Sequence, residues 1–174
     1  SDGYEYSRAM KINSSGTAVG VSYRYSGGAY LGETGWFYDP VSGTSHMLVA
    51  SQSQGGSAVI KPQILTEAGE VYGAFRKYDG YADKGWRLFY WTLKGGFRDI
   101  SEEAGGLLTD CQWTTWSSVL GVSNVDKDGN LIGSGYCITE PGGSVGRYTP
   151  FIVHTCPSCG PGMKSFPWLP LLLE

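Results

Sequence analysis

Residues 62–73 read PQILTEAGEVYG, and two further stretches follow the same frame, AMKINSSGTAVG at 9–20 and VSNVDKDGNLIG at 122–133. The frame is an aliphatic residue, then Asn, Thr or Asp, two variable residues, a glycine, a polar residue, two apolar residues and a second glycine. A short polar side chain three residues before a glycine is typical of a hairpin turn. The second glycine falls inside the next strand, which predicts a close backbone approach to a neighbouring unit.

An apolar strand, a turn and a short final strand follow each frame at nearly constant distance. The apolar strands contain Phe37, Phe89 and Phe151, which we expect in the core because they recur. The final strands are expected at residues 47–49, 97–100 and 163–166. The sequence therefore predicts one domain, residues 1–174, made of three four-stranded repeats, which lie at residues 7–49, 59–100 and 117–167.

The composition favours short strands joined by many turns. The chain of 174 residues has 27 Gly, 12 Tyr, 6 Trp and 6 Phe, and helical signals are confined to residues 101–104, ahead of Gly105 and Gly106. We predict an all-β fold of three four-stranded antiparallel repeats that resemble propeller blades. A β-sandwich and a β-solenoid are the alternatives. Propellers usually have four or more blades, so the chain would be a fragment, a half-ring that dimerises, or an array with covered ends.

Charge and apolar patterning exclude two classes of partner. The formal net charge is -3, whereas nucleic-acid-binding proteins carry concentrated basic surfaces. No apolar run approaches the roughly 18 residues of a membrane-spanning helix. The chain opens on Ser-Asp-Gly without a leader, so a signal peptide has been removed or the chain is an excised piece. Four cysteines and scarce lysine favour an extracellular, secreted or cell-surface protein.

Two segments carry a family resemblance. Residues 12–20, INSSGTAVG, and residues 89–100, FYWTLKGGFRDI, resemble the HAF-type extracellular repeats of bacteria. The third unit departs from that pattern, because a cysteine-containing turn replaces the Gly-Gly pair. The resemblance implies a surface or extracellular location and a repeated β architecture. It implies no catalytic residues.

The cysteines belong to the third repeat and the linker before it: Cys111, Cys137, Cys156 and Cys159. Two disulfides that brace a terminal repeat are the favoured interpretation, paired Cys111–Cys137 and Cys156–Cys159. Zinc binding and free thiols are the alternatives. A structural zinc site usually has two closely spaced ligand pairs, and only one pair here is closely spaced.

Motifs typical of metal-dependent and cofactor-dependent enzymes are absent from the sequence. The chain has no HExxH and no Walker-type or Rossmann-type glycine loop, so we expect neither an enzyme nor a cofactor. The adjacent Glu102 and Glu103 should diverge, whereas paired-carboxylate catalysis needs both at one site. Residues 124–129 resemble half of a calcium loop, but its twelfth position is Gly135 rather than glutamate. A turn around Asp126 explains the same residues.

Aromatic residues are the remaining candidates for ligand binding. Period-two alternation places Trp36 and Trp86 on the strand face opposite Phe37 and Phe89, and other aromatics fall in loops with polar neighbours, where sugars or proteins could stack. The predicted set is Trp36, Trp86, Tyr78, Tyr81, Trp113 and Trp116. The function predicted first is a non-catalytic extracellular module that binds a glycan or a protein. The alternative is a structural subunit that assembles head to tail into a homo-oligomer, ring or filament.

Overall fold

The computed structural model describes residues 3–48, 59–80, 82–105, 112–113, 121–138 and 146–154. The fold is all-β, as predicted from the sequence. Sheet 1 consists of β1 (Gly3–Ile12), β2 (Ala18–Ser26), β3 (Ala29–Asp39) and β4 (Thr44–Leu48). Sheet 2 consists of β5 (Ile60–Leu65), β6 (Val71–Asp79), β7 (Ala82–Thr92) and β8 (Gly96–Asp99). In both sheets the strands are antiparallel and neighbours in space follow the order of the chain.

Sheet 3 has a different fourth strand. It consists of β9 (Gln112–Trp113), β10 (Gly121–Val125), β11 (Asn130–Ile138) and β12 (Gly146–His154). The order is β10-β11-β12, and the short β9, which comes first in the chain, pairs with the far end of β11. The strand predicted at residues 163–166 lies outside the described residues.

One short helix, α1 (Ile100–Ala104), follows sheet 2. The Asp99 side chain caps its start by accepting a hydrogen bond from the Glu102 amide, 3.0 Å away. Gly105 ends it with φ 63°, where a residue with a Cβ would be strained. The sequence prediction of a single helical turn ended by glycine is confirmed at this position.

The three predicted turns have the same backbone geometry. In each turn the first polar residue donates its amide to the carbonyl four residues ahead, and its carbonyl accepts from the glycine. The glycines have positive φ, 84° at Gly16, 77° at Gly69 and 80° at Gly129. Asp126 Oδ1 accepts from the amides of Asp128 and Asn130 at 2.9 and 2.8 Å. The Asp126 side chain therefore stabilises a turn. This is the role that the repeat pattern of the sequence favoured over calcium binding.

Asn13 stabilises its own turn and also joins two sheets. Its Oδ1 accepts from the amides of Ser15 and Thr17 at 3.2 and 3.0 Å, and its Nδ2 donates to the Thr66 carbonyl of sheet 2 at 3.0 Å. The Ser15 hydroxyl also donates to this Oδ1, at 2.8 Å, and removing these four part-exposed hydrogen bonds should cost about 1–2 kcal/mol. We therefore expect Asn13→Ala to lower the urea midpoint of unfolding.

Asn13→Asp is the matched control, because aspartate already serves this turn in sheet 3 at Asp126. It keeps the turn acceptor but turns a carboxylate oxygen towards the Thr66 carbonyl in place of the Nδ2 donor, so the turn is retained and the midpoint should fall below that of wild type through the contact between the sheets alone. Equal midpoints for Asn13→Ala and wild type would contradict the role assigned to this side chain.

The second glycine of each frame lies opposite a β-bulge. Gly20, Gly73 and Gly133 pair with Ala9, Pro62 and Val122, and the register shifts just beyond each pair. A Cβ on Gly73 would lie 2.1 Å from the Lys61 carbonyl oxygen and 2.8 Å from the Phe89 ring. The predicted close approach is therefore present. The prediction that a neighbouring unit makes it was wrong, because the contacting atoms belong to the glycine's own sheet.

The register also corrects the alignment of the aromatic strands. Gly20, Gly73 and Gly133 stand opposite Trp36, Phe89 and Phe151 on the following strands. Phe37, Phe89 and Phe151 are all buried, as predicted. Phe37 nevertheless points to the opposite side of its sheet from Phe89 and Phe151. It lies one residue beyond the position equivalent to theirs, and successive side chains of a strand point to opposite sides. Trp36 is the true equivalent of Phe89 and Phe151.

The sheets stack face to face in one repeated direction. We call the side that carries the recurring glycine the glycine face, and the other side the opposite face. Sheet 2 packs its glycine face, with Val71, Phe89 and Trp91, on the opposite face of sheet 1, with Val19 and Phe37. Sheet 3 repeats this arrangement on sheet 2, and the resulting core includes Tyr72, Leu88, Tyr90, Leu131, Phe151 and Val153. The stack does not close into a propeller ring, so each end of it leaves one face without a packed sheet among the described residues.

Candidate functional site

The glycine face of sheet 1 has no sheet packed on it among the described residues. Trp36 is half-buried there, whereas its equivalents Phe89 and Phe151 are fully buried. The next position along the strand repeats the contrast, because Tyr38 is 36% exposed and its equivalent Trp91 only 5%. Two strand positions whose side chains are buried in sheets 2 and 3 are thus open to solvent in sheet 1.

A shallow depression of about 550 Å³ occupies this open face. Its lining includes Ala18, Ser22, Trp36, Tyr38 and Met47. Ala18 stands where sheets 2 and 3 have the larger buried residues Val71 and Leu131, and this difference in size leaves space at the centre of the face. Met47 is 51% exposed. The lining contains no Asp, Glu, Lys or Arg but includes serine and threonine hydroxyls and the His46 imidazole, so it offers mainly apolar contact with a few hydrogen-bonding groups.

The opposite face of sheet 3 is open at the other end of the stack. Ile132 and Ile152 pair across β11 and β12, at the register held by buried Val19 and Phe37 in sheet 1. Ile152 is 64% exposed and Tyr148, on the same face, 65%. The described part of the molecule therefore presents two unlike apolar faces, one at each end.

A tyrosine cluster lies at the β2–β3 end of sheet 1. Tyr23 contacts Tyr6 and Tyr30 with ring centroids 5.4 and 6.0 Å apart, and Tyr25 lies 5.7 Å from Tyr30. Tyr6 and Tyr30 are exposed. Partial burial, followed by the charge of Glu33, raises the pKa of Tyr30 to about 12. Its hydroxyl, like that of an ordinary tyrosine, is protonated at neutral pH and can donate a hydrogen bond, and the raised pKa extends this to more alkaline solution.

The structure places the predicted binding residues in different environments. Trp36 lies on the open glycine face. Trp86 is 4% exposed within the core between sheets 2 and 3, with the Lys61 ammonium 5.3 Å from its ring centroid, so its ring offers no surface to a ligand. Tyr78 was predicted in a loop and lies in strand β6, where the Arg76 guanidinium sits 5.9 Å from its ring.

Several predicted residues fall outside the described residues. They are Tyr81, Trp116, Cys111, Cys156 and Cys159. Trp113 and Cys137 are described only in their backbone, where they pair across β9 and β11. That pairing brings the segment that follows Cys111 beside Cys137. The disulfides remain a prediction.

The adjacent carboxylates of α1 engage separate cations. Glu102 accepts from Lys77 Nζ, and Glu103 pairs with the Arg98 guanidinium. The hydrogen bond from Lys77 lowers the pKa of Glu102. The two side chains thus serve surface ion pairs rather than one reacting centre, and across the described ranges no group of three metal-ligating side chains occurs. Nor does any helix there have the length and apolarity needed to span a membrane.

The sequence analysis missed most of the open surface. Tyr38, Met47 and the tyrosine cluster were not singled out. One signal was available for the cluster, because Tyr23 and Tyr25 alternate along β2 and must share a face. The open glycine face had no such signal, since the residues equivalent to Trp36 and Tyr38 in the other two sheets are core residues.

Comparison with known proteins identifies no relative. No family model matches the chain, and a search of curated proteins also finds no match. The resemblance of residues 12–20 and 89–100 to the HAF-type repeats therefore stays a prediction.

Proposed function

We propose that the chain is a non-catalytic interaction module, acting outside the cell, that binds a protein partner through the glycine face of sheet 1. One observation carries the proposal: Trp36 and Tyr38 are open to solvent at positions whose equivalents in sheets 2 and 3 are buried against another sheet. An uncharged apolar face of this kind is typical of an interaction surface.

The extracellular location is part of the proposal. Its support is compositional, namely the four cysteines and the scarcity of lysine.

Hydroxyl-radical footprinting of the dilute protein tests whether this face is available. We expect Met47, Tyr38 and Trp36 to be oxidised rapidly in the monomer, because their side chains contact solvent. Their equivalents Phe89 and Trp91 should be protected and serve as internal controls. Protection of Met47 in the dilute monomer would mean that the chain covers its own face, and the proposed function would fail.

Glycan binding at the tyrosine cluster is the second candidate. Exposed tyrosines beside the Glu33 carboxylate offer aromatic surface and hydrogen-bonding groups to a sugar. The footprinting experiment separates the two candidates. Soluble oligosaccharides that protect Tyr6 and Tyr30 while Met47 stays reactive would favour the glycan-binding role.

A further inference from the structure

We propose that the partner of the open glycine face is a second copy of this chain, which docks through the opposite face of its sheet 3. The contact would repeat between copies the stacking that joins sheet 1 to sheet 2 and sheet 2 to sheet 3 within the chain. This inference rests on the proposed function, because it names the occupant of the same face.

Two interfaces within the molecule specify the occupant. In each, a glycine face with an aromatic residue beside the glycine meets an opposite face with a buried cross-strand pair. The pairs are Val19 with Phe37 in sheet 1 and Tyr72 with Tyr90 in sheet 2. The third such pair, Ile132 with Ile152, has no sheet on it among the described residues and is exposed. The molecule thus ends in the two halves of one repeated interface.

The central parts of both open faces lack the charges expected of a solvent-facing sheet. Between Ala18 and Ser22 and between Thr34 and Tyr38, the glycine face of sheet 1 presents only alanine, glycine, hydroxyl-bearing and aromatic residues. The opposite face of sheet 3 presents Ile132, Ser134, Tyr136, Tyr148, Pro150 and Ile152. Docking therefore desolvates no ionised side chain in these segments, which removes the largest cost of burying a surface.

The shapes of the two faces are also suited to each other. The small side chain of Ala18 lies in the depression of about 550 Å³ on one face, whereas the branched side chains of Ile132 and Ile152 project from the other. Because β1, β2 and β3 have 10, 9 and 11 residues, the face of sheet 1 spans roughly 30 Å along these strands and about 15 Å across all four. That is small beside the about 800 Å² that each partner buries in a standard interface, so we expect reversible association in the micromolar range.

The contact joins unlike faces and so leaves one of each kind free on a dimer. Further copies then add in the same direction, and the rotation per contact decides between a closed ring and a filament. A contact of this type makes a specific prediction: two variants blocked on different faces cannot self-associate, but they can bind one another.

Met47→Glu and Ile152→Glu are the test variants, because both side chains are largely exposed and neither change should disturb the fold. An uncompensated carboxylate should weaken the contact by about a hundredfold. By sedimentation velocity, the wild-type mass should rise across the micromolar range while each variant remains monomeric. An equimolar mixture of the two should form a heterodimer and grow no further. Circular dichroism and melts verify folding, and Tyr38→Glu with Tyr148→Glu forms a second pair if either variant is misfolded.

Val41→Glu is the matched control, since Val41 lies in the β3–β4 turn and is 95% exposed. It adds the same charge away from both faces and should assemble like wild type. A wild-type protein that stays monomeric at several hundred micromolar, a mixture that stays monomeric, or a Val41→Glu variant that is equally blocked would each overturn the inference. If Met47 is still reactive in the dilute footprint, the proposed function survives such a failure with a different protein partner.

Discussion

Replacing Gly73 with valine should destabilise the protein by about 3 kcal/mol, in the upper part of the usual range for overpacking. The added Cβ would lie 2.1 Å from the Lys61 carbonyl oxygen, and a backbone atom within a paired strand cannot move aside as a side chain can. The Phe89 ring, 2.8 Å from the same point, adds a second clash. Urea unfolding followed by circular dichroism measures the loss.

Gly20 and Gly133 extend this experiment. Each would place a Cβ within 2.3 Å of a carbonyl oxygen of its own sheet, so their valine variants should also lose stability. The loss at Gly20 should be smaller, because the Trp36 ring can swing towards solvent. Gly35→Ala is the comparison, since its nearest atoms are side-chain carbons of the buried Ile60 and Leu48 at 3.0 Å rather than a backbone oxygen, and it should cost less than Gly73→Val. Unchanged stability in Gly73→Val would show that the bulge opposite it is not held as described.

Phe89→Ala should cost about 4 kcal/mol, as expected when a fully buried aromatic residue is truncated. Phe89 stacks on Phe97 with centroids 5.2 Å apart and meets the edge of Phe75 at 6.5 Å. Its removal leaves a cavity between sheets 1 and 2 that neighbouring rings can fill only in part. Urea midpoints at low micromolar concentration give the loss for the monomer.

Trp36→Ala is the matched comparison, because Trp36 occupies the equivalent register on the open face. A half-buried ring should lose less than half of the stability lost at Phe89, since part of its surface already contacts water. Equal losses at the two positions in the monomer would mean that Trp36 is as covered as Phe89. The open-face description would then be wrong.

The turns and the fold class could be predicted from sequence because their signals are local. Gly16, Gly69 and Gly129 each need a positive φ, and Asn13 and Asp126 each hydrogen-bond the backbone within a few residues. These interactions depend on spacing along the chain, and spacing is visible in the sequence. The helical turn ended by Gly105 belongs to the same class.

The facing of side chains across strands could not be predicted in the same way. Each bulge adds one residue to the strand that precedes the turn, at Met10 in β1, Gln63 in β5 and Ser123 in β10. An added residue reverses the alternation before it, so a period of two no longer holds along the strand. The alignment of Phe37 with Phe89 failed for a related reason, because both positions are aromatic and buried although they face opposite ways. Trp36 is exposed because sheet 1 lies at one end of the stack, and the order in which the sheets stack is a property of the assembled fold rather than of any local segment.

The connectivity of sheets 1 and 2 has a consequence for how the chain folds. Every strand there pairs with its neighbour in sequence, so their hydrogen bonds can form between segments separated by short loops. A protein whose contacts are mostly local loses little chain entropy before those contacts form. It therefore folds faster than β proteins in which distant segments pair. Sheet 2 is the only described sheet packed on both faces. Its amides should exchange with solvent most slowly, and local opening should proceed inward from sheets 1 and 3.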